Sequence, residues 1–502
     1  MVLGISREAL ALSGIRQGIA AYFDSTLRAN RASLSGLNPH LYLMHKIFAF
    51  LVLALLGACA QLPAYERPPL PVPNVWPSAL AGSGREVART HWRAFFSDPE
   101  LQTLIAAALE HHRDLRIAVA RVTEARAQYG IIGADQMPTV NLMGSASVSR
   151  TPSELSGVGV PTSGRRYDLT LSAVSFEVDF WGRLAGLSDA ARRGFLATEE
   201  ARRAVYLSLV ADVASAYYTL LQMNELVAMA QSTAESREQS LGLISKARDL
   251  GGTFDLEVQQ ARGQFENSRA ALASMEYQRT AAISRLNFLL GYTPVTLSRS
   301  KTLADQSFDM DLKSGLPAEV LLSRPDVLAA EQRLLGAHAS IDAARAAFFP
   351  KVLLTAGLGM ASQGLSGLFS GGAWSFQPTF SMPLFDAGRF AASTDIAEAR
   401  KVIAVAEYEK SIQTAFRETA DLLSMRASLV AQLDASVANA LAQERRLEIA
   451  QARYNIGLVS YLEVLDGQRE LVAAQQTVTQ VRRAQLESAA QLYKALGGGG
   501  AI

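Results

Sequence analysis

The sequence predicts an internally duplicated α+β membrane protein, in which each chain has four transmembrane β-strands and two long helical hairpins. The chain aligns on itself, since Leu256-Glu257-Val258 matches Leu462-Glu463-Val464. Four segments of about ten residues alternate apolar and polar side chains, and this is the length that a tilted transmembrane strand needs. Residues 185–250 and 390–456 contain no proline and are rich in alanine, which indicates two long helices.

The composition excludes several classes of function. The chain has 502 residues, with 48 Lys and Arg against 47 Asp and Glu, so it has no basic field that could hold a nucleic acid. Cys59 is the only cysteine, which excludes internal disulfides, and the 6 histidines form no metal-binding pair. No serine elbow or phosphate loop is present. We therefore expect no enzyme activity, no metal and no cofactor apart from a covalent lipid.

The lipid is expected because residues 44–58 form a lipoprotein signal peptide. They contain Lys46, an apolar run too short to span a bilayer, and the small residues Gly57-Ala58. Leu56-Gly57-Ala58-Cys59 resembles the bacterial lipobox, in which the cysteine is acylated and becomes the mature N-terminus. The alternative is a buried thiol in a short apolar helix.

The segments on either side of the signal are interpreted from their composition. Residues 1–43 are interpreted as an N-terminal extension or a misassigned start, and residues 59–90 as an acylated, proline-rich strap. Ala60 stands where an aspartate would resemble an inner-membrane retention signal. The protein is therefore expected in the outer membrane of a Gram-negative bacterium, lipid-anchored and extending into the periplasm.

The first structural repeat spans residues 91–297. It begins with a helix over 98–136, which has apolar residues at a 3.6-residue period. Two β-strands follow at 139–149 and 167–180, and a helical hairpin occupies 185–291. Alternation in the second strand changes phase before Phe176, which predicts a β-bulge.

The second structural repeat spans residues 317–497 and has the same order of elements. Its strands are predicted at 351–361 and 374–385, and its helical hairpin at 388–497. Pro378 is unfavourable inside a strand. The remaining segments are an inter-repeat linker and a C-terminal tail, residues 298–316 and 498–502.

Four strands cannot close a barrel, and an open sheet edge in lipid would leave unpaired amides that cost several kcal/mol each. Other copies of the chain must therefore close the sheet. Two copies give eight strands and a lumen filled by side chains, whereas three give twelve strands and room for solutes. We predict a homotrimer with a 12-stranded β-barrel. A soluble sandwich with one wet face explains the alternation equally well.

Six segments, taken in order along the chain, resemble TolC-type outer membrane efflux proteins, most closely the acylated branch typified by OprM and the NodT-like proteins. The resemblance covers essentially the whole mature chain. The segments are Trp92–Pro99, Phe176–Leu184, Pro383–Arg389, Ala452-Arg453-Tyr454 with Gly457, Tyr461–Arg469 and Tyr493–Gly499.

The resemblance implies both an architecture and partners. Members of that family are trimers whose outer-membrane β-barrel continues into a long periplasmic α-helical barrel. They conduct drugs or other small molecules passively from an inner-membrane pump, here of RND type, through a periplasmic adaptor protein to the exterior. The channel has no chemistry of its own.

The resemblance also assigns a periplasmic gate to the second hairpin. The gate-forming residues fall on Leu462, Asp466 and Arg469, which share one helical face, and Tyr454 adds a phenol. Threefold symmetry would turn them into rings. An ordinary exposed ion pair between Asp466 and Arg469 is the alternative. The equivalent residues of the first repeat lack both charges, so the gate would come from the second hairpin alone: Leu256, Gln260 and Gly263.

The hairpin turns are predicted at Gly251-Gly252 and at Gly457, where the resemblance places contacts with the adaptor.

Three other functions compete with the efflux channel. They are the exit duct of a type I protein secretion system, a surface lipoprotein enzyme and a soluble coiled-coil scaffold. Only the first of these shares the strands and the hairpins.

Overall fold

A computed structural model of the protein describes residues 67–69, 71–73, 85–86, 90–157, 159–292, 301–306, 312–313 and 321–498. The predicted extension, the signal peptide and Cys59 lie outside the described residues, as do most of the strap, the linker and the tail.

Each half of the chain contains a helical segment, two strands and a pair of long helices. The first half contains β1 (Arg85–Glu86), α1 (Trp92–Phe95), α2 (Pro99–His111), α3 (Arg113–Ala134), β2 (Val140–Thr151), β3 (Thr162–Glu177), α4 (Arg183–Asp249) and α5 (Asp255–Leu289). The second contains β4 (Leu312–Lys313), α6 (Pro325–Ala346), β5 (Lys351–Ser362), β6 (Gly372–Ser381), α7 (Arg389–Asn455) and α8 (Tyr461–Ala495). β1 and β4 pair in parallel and join the two halves.

The single helix predicted over 98–136 is wrong, because the chain forms two helices there. His112 adopts an extended backbone with ψ 131° and separates α2 from α3. Asp98 begins α2 by accepting a hydrogen bond from the backbone N–H of Glu100 at 2.8 Å. A periodic apolar pattern continues across a one-residue break, and so the break leaves no signal in the sequence.

The four long strands form one antiparallel sheet in the order β2–β3–β5–β6. Its register carries the apolar side of every strand to the same face, so that Leu142, Leu171, Leu358 and Trp374 form one continuous row. The adjacent row on the other face consists of small and polar residues: Asn141, Ser172, Gly357 and Ser375.

The predicted irregularities lie within the sheet. The register of β3 against β5 shifts between Ala173 and Phe176, where Ser175 has a φ of 54°, so the predicted bulge is confirmed. Pro378 belongs to β6, opposite Leu354, so the predicted strand forms despite this proline. The strand predicted to begin at residue 167 begins at Thr162 instead, because residues 162–166 pair with the end of β2.

Both strands that lead into long helices end earlier than predicted, at Glu177 and Ser381, because the chain needs a turn before each helix. The turns end at Gly182 and Gly388, which have left-handed φ values of 74° and 82°. In the first turn the Asp179 carboxylate accepts a hydrogen bond from the backbone N–H of Ala185 at 2.8 Å. Asp386 does the same for Phe390 at 2.7 Å in the second turn.

The long helices α4 and α7 have 67 residues each, so each measures about 100 Å. Near the sheet the helices pack side by side in the order α3–α4–α6–α7, and towards the hairpin turns in the order α5–α4–α8–α7. Among the described residues α4 is the one helix long and apolar enough to cross a membrane, but most of that stretch is buried by its neighbours. Its apolar side chains therefore serve helix packing.

The main core lies where α1 and α2 cover α4 and the end of α8. Its largest fully buried side chains include Tyr217 of α4, Tyr408 of α7 and Tyr493 of α8. Phe95 and Phe96 pack against the Tyr493 ring, with centroids 4.8 and 5.8 Å away. This core fixes the halves of the chain to each other at the level midway between sheet and turns.

Candidate functional site at the helical hairpin tips

Both hairpins turn through the same backbone arrangement. Gly251 and Gly457 have left-handed φ values of 75° and 76°, and each donates a backbone hydrogen bond to a carbonyl of the helix it ends. The next residue completes the cap, since Gly252 N–H reaches Ala247 O at 2.8 Å and Leu458 N–H reaches Arg453 O at 2.9 Å. These are Schellman caps, in which a left-handed glycine satisfies the last carbonyls of a helix.

One ion pair crosses each turn. Arg248 Nη1 lies 3.4 Å from Asp255 Oδ1 in the first hairpin, and Arg453 Nη1 lies 3.2 Å from Glu463 Oε1 in the second. All four side chains are exposed, so water and salt screen both pairs and each contributes little to stability. Their effect is to join the two helices of each hairpin next to its turn.

The predicted gate residues occupy one exposed face at the start of α8. Leu462 is exposed, and Asp466 Oδ1 accepts a hydrogen bond from Arg469 Nη2 at 2.5 Å. This contact is the ion pair between residues three apart that is the alternative to a gate. It uses one of the two carboxylate oxygens of Asp466. The ring of gate residues stays a prediction.

The second oxygen is bound by a residue that the sequence reasoning missed. Arg446 Nη2 of α7 lies 2.6 Å from Asp466 Oδ2, so two arginines hold this carboxylate. A signal was available, because residues equidistant from the turn of an antiparallel hairpin face each other, and 446 and 466 are nearly equidistant from Gly457. Gly467, beside Asp466, packs directly on Leu447, beside Arg446.

Tyr454 lies at the end of α7 and contacts the start of α8. Its ring centroid is 5.3 Å from that of Tyr461, and the rings are tilted by 54°. Partial burial and the charge of Glu257 raise the pKa of Tyr454, so its phenol is neutral at physiological pH. Glu257 belongs to α5 of the first hairpin, and the two hairpins lie side by side because α4 packs on α8.

The turns carry large apolar side chains that are almost fully exposed. Leu250 and Phe254 of the first turn are 87% and 80% exposed, and Ile456 and Leu458 of the second are 71% and 67% exposed. Among the described residues nothing covers them. Exposed apolar groups around a closed turn are typical of a docking surface.

The model of one protein family matches two segments of the chain, residues 104–292 and 316–498, and its description is outer membrane efflux protein. The chain belongs to the outer membrane efflux protein family. The two matched segments follow the internal duplication, since each contains two long strands and a hairpin of long helices. A protein of this family is located in the outer membrane and serves efflux.

Relatives of this efflux protein match about nine-tenths of the chain. It is 40% identical over 459 residues to the cation efflux system protein CusC of Escherichia coli O157:H7, covering 90% of this chain and 98% of CusC. It is also 40% identical over 466 residues to the solvent efflux pump outer membrane protein SrpC of Pseudomonas putida, covering 91% and 99%. The structure of the MtrE outer membrane channel of Neisseria gonorrhoeae in its open state matches with a TM-score of 0.79. The two sequences are 34% identical, and the match covers 88% of this chain and 98% of MtrE.

Proposed function

We propose that three copies of this efflux protein form a channel through the outer membrane and into the periplasm. The channel receives small molecules from an inner-membrane pump and a periplasmic adaptor protein and conducts them passively to the exterior. One observation carries this proposal. The outermost strands of the sheet, the outermost helices next to the sheet and the outermost helices near the turns all lie on the same two sides of the chain.

The chain is built like one segment of a wall. β2 and β6 are the outer strands of the sheet, α3 and α7 are the outer helices next to the sheet, and α5 and α7 are the outer helices towards the turns. One side of the chain is thus formed by β2, α3 and α5, and the other by β6 and α7. Side-by-side copies related by rotation would join these sides at every level, and such a heterologous contact closes a ring.

The two sides expose the apolar residues that such a contact would bury. Val402 and Leu441 of α7 are 69% and 61% exposed, and Ile131 of α3 is 69% exposed. The backbone edges of β2 and β6 have no strand partner in the part of the chain that the structure describes. Pairing β6 of one copy with β2 of the next would satisfy them, as a membrane requires.

One face of the sheet suits contact with lipid outside a barrel, and the other face suits contact with water inside it. The apolar row formed by Leu142, Leu171, Leu358 and Trp374 is more than half exposed at every position. A soluble sandwich would cover this face, whereas a barrel presents it to lipid and encloses the small and polar row. Three copies supply twelve strands, enough for a water-filled lumen.

The N-terminal strap supports a lipid anchor at Cys59. Arg67 is described, and its guanidinium binds Glu331 of α6, with Nη2 2.6 Å from Oε1. The Glu331 side chain is 8% exposed, so this ion pair fixes the strap to the folded domain. Cys59 precedes Arg67 by eight Cα-to-Cα steps, so the two residues are at most about 29 Å apart, and a lipid on Cys59 would therefore enter the membrane within that distance of Arg67.

The gate and the adaptor contact complete the proposal. Leu462, Asp466 and Arg469, with Tyr454, form the periplasmic closure, and the apolar turns at Gly251-Gly252 and Gly457 receive the adaptor. The transported compound is set by the pump, because relatives of equal identity carry names that refer to cations and to solvents. Among the described residues no cluster of metal-binding side chains is present.

Native mass spectrometry and planar bilayers test the proposal together. The detergent-purified protein should have the mass of three acylated chains, and its reconstitution should give discrete conductance steps. Denatured protein from the same preparation is the control. A monomeric mass together with no conductance would refute the channel, whereas a trimer without conductance would point to a closed gate and should conduct after gate substitutions.

A further inference from the structure

The Asp466 carboxylate is held from two helices, and the contact from α7 has no counterpart in the predicted gate. Arg469 binds Oδ1 from the same helix at 2.5 Å, and Arg446 binds Oδ2 from α7 at 2.6 Å. An arginine three residues away on the same helix turns with the carboxylate. An arginine on the neighbouring helix does not turn with the carboxylate. It therefore fixes the position of the carboxylate relative to α7.

The packing of the hairpin makes this contact possible. A Cβ atom added to Gly467 would lie 3.4 Å from Leu447 Cδ1 and 3.5 Å from Leu447 Cα, so α7 and α8 approach closely at this level. Arg446 and Asp466 are the sequence neighbours of these two residues. The pair from Arg453 to Glu463 joins the same helices nearer the turn, at 3.2 Å.

The charges at this level cancel within each chain. Arg469 Nη2 also lies 3.2 Å from Glu470 Oε1, so the cluster contains two arginines and two carboxylates, Arg446, Arg469, Asp466 and Glu470. Removing Arg446 leaves one excess negative charge in each chain. In a threefold ring this makes three uncompensated negative charges at the narrow part of the lumen, where charge controls which ions pass.

We infer that Arg446 is a positioning residue for the gate, which anchors the Asp466 carboxylate to α7 and keeps the gate ring electrically neutral. This inference rests on the proposed function, in which Asp466 faces the closed lumen. It assigns the ion selectivity of the channel to a residue of α7, ten residues before the turn.

Arg446→Met, reconstituted in planar bilayers under a KCl gradient, tests the inference. The ratio of K⁺ to Cl⁻ permeability should rise by roughly two- to fivefold, because uncompensated carboxylates concentrate cations. The rise should shrink at high salt, which screens exposed charges. The double variant with Asp466→Asn should return the ratio towards the wild-type value.

Arg445→Met is the matched control. Arg445 precedes Arg446 on α7, but it pairs with Glu448 at 2.6 Å and does not contact Asp466. It removes the same charge, so an equal rise in the permeability ratio in both variants would overturn the inference. An unchanged ratio in Arg446→Met would overturn it as well.

Two further variants separate the inference from the proposed function and from misfolding. If Asp466→Asn changes neither conductance nor selectivity, Asp466 does not face the lumen and the proposed gate itself fails. If Asp466→Asn changes them and Arg446→Met does not, only the role of Arg446 fails. Arg446→Lys keeps the charge and the fold but loses the forked guanidinium, so it should keep wild-type selectivity while conductance fluctuates more.

Discussion

The indole Nε1 of Trp181 donates a hydrogen bond to the backbone carbonyl of Pro350 at 2.8 Å, and the Trp181 ring stacks on Phe349 with centroids 4.7 Å apart. Trp181 follows β3 and precedes α4, whereas Pro350 precedes β5. This contact joins the two repeats at the end of the sheet that faces the helices. Amphipathic aromatic side chains such as Trp181 favour the boundary between lipid and water, so the proposed channel would have this end of the sheet at that boundary.

Replacing Trp181 with Ala should loosen this end of the sheet. The variant loses an aromatic pair and a hydrogen bond, together worth roughly 2 kcal/mol. The midpoint of thermal unfolding in detergent should fall accordingly. Trp181→Phe keeps the stacking and loses only the hydrogen bond, so it should lose about half as much. Equal losses in the two variants would show that stacking on Phe349 contributes nothing.

A buried carboxylate connects the inter-repeat segment to the core. Asp98 accepts hydrogen bonds from Lys301, from Tyr217 Oη at 2.9 Å and from Gln306 Nε2 at 2.8 Å, in addition to the backbone N–H that it caps. Burial by itself raises the pKa of Asp98, but the hydrogen bonds that the carboxylate accepts, of which that from Lys301 has the largest effect, together outweigh it. The pKa of Asp98 therefore lies below its ordinary value.

This depressed pKa predicts a loss of stability in acid. The ionised Asp98 stabilises the fold at every pH above its unfolded value of about 4, and that contribution is lost as the pH falls through the lower, folded value. Asp98→Asn keeps the helix cap but loses the ion pair with Lys301, at a cost of roughly 2 kcal/mol near neutral pH. Unfolding midpoints measured from pH 3 to pH 7 should converge for the two proteins at the acid end. Parallel curves would contradict the prediction.

The sequence predicted the architecture because periodicity, duplication and strand length are local properties. The apolar face of Val140 to Val148 and the turn at Gly457 are examples, since each is written in neighbouring residues. It did not predict the break at His112, where no residue type forces an extended backbone. Nor did it predict that Arg446 pairs with Asp466 or that Arg67 pairs with Glu331. Such ion pairs depend on which segments pack together and in what register.

Substitution by alanine should change the stability of the protein in opposite directions at a turn glycine and at a glycine inside a helix. Gly457 has a left-handed φ of 76°, and a Cβ atom there would meet nothing within 4 Å, so Gly457→Ala costs only the backbone strain, roughly 1 to 2 kcal/mol. Gly242 lies inside α4 with equal space around it, and Gly242→Ala should stabilise by roughly 0.5 to 1 kcal/mol. Chemical denaturation measures both, and a shift in the same direction for both would contradict the assigned turn.

Replacing Cys59 with Ala should remove the lipid while leaving the fold intact. The described domain holds the strap through Arg67 and Glu331, so the variant should still form the trimer. Intact-mass measurement checks the prediction, since the wild-type protein should be heavier than its cleaved chain by the acyl groups. A wild-type mass without that increment would contradict the lipid anchor, and the Arg67→Gln variant tests the strap separately through its sensitivity to protease.

The double substitution of Asp466 and Arg469 by Ala should raise the basal conductance of the reconstituted channel. Both side chains lie on the exposed face of α8 with Leu462, and removing them leaves Arg446 without its carboxylate, so three positive charges would repel one another across the closed ring. Arg453→Ala together with Glu463→Ala is the control, because this pair joins the same two helices outside that face. If both double variants conduct equally, the hairpin simply loosens, whereas a rise confined to the first assigns closure to the Asp466 ring.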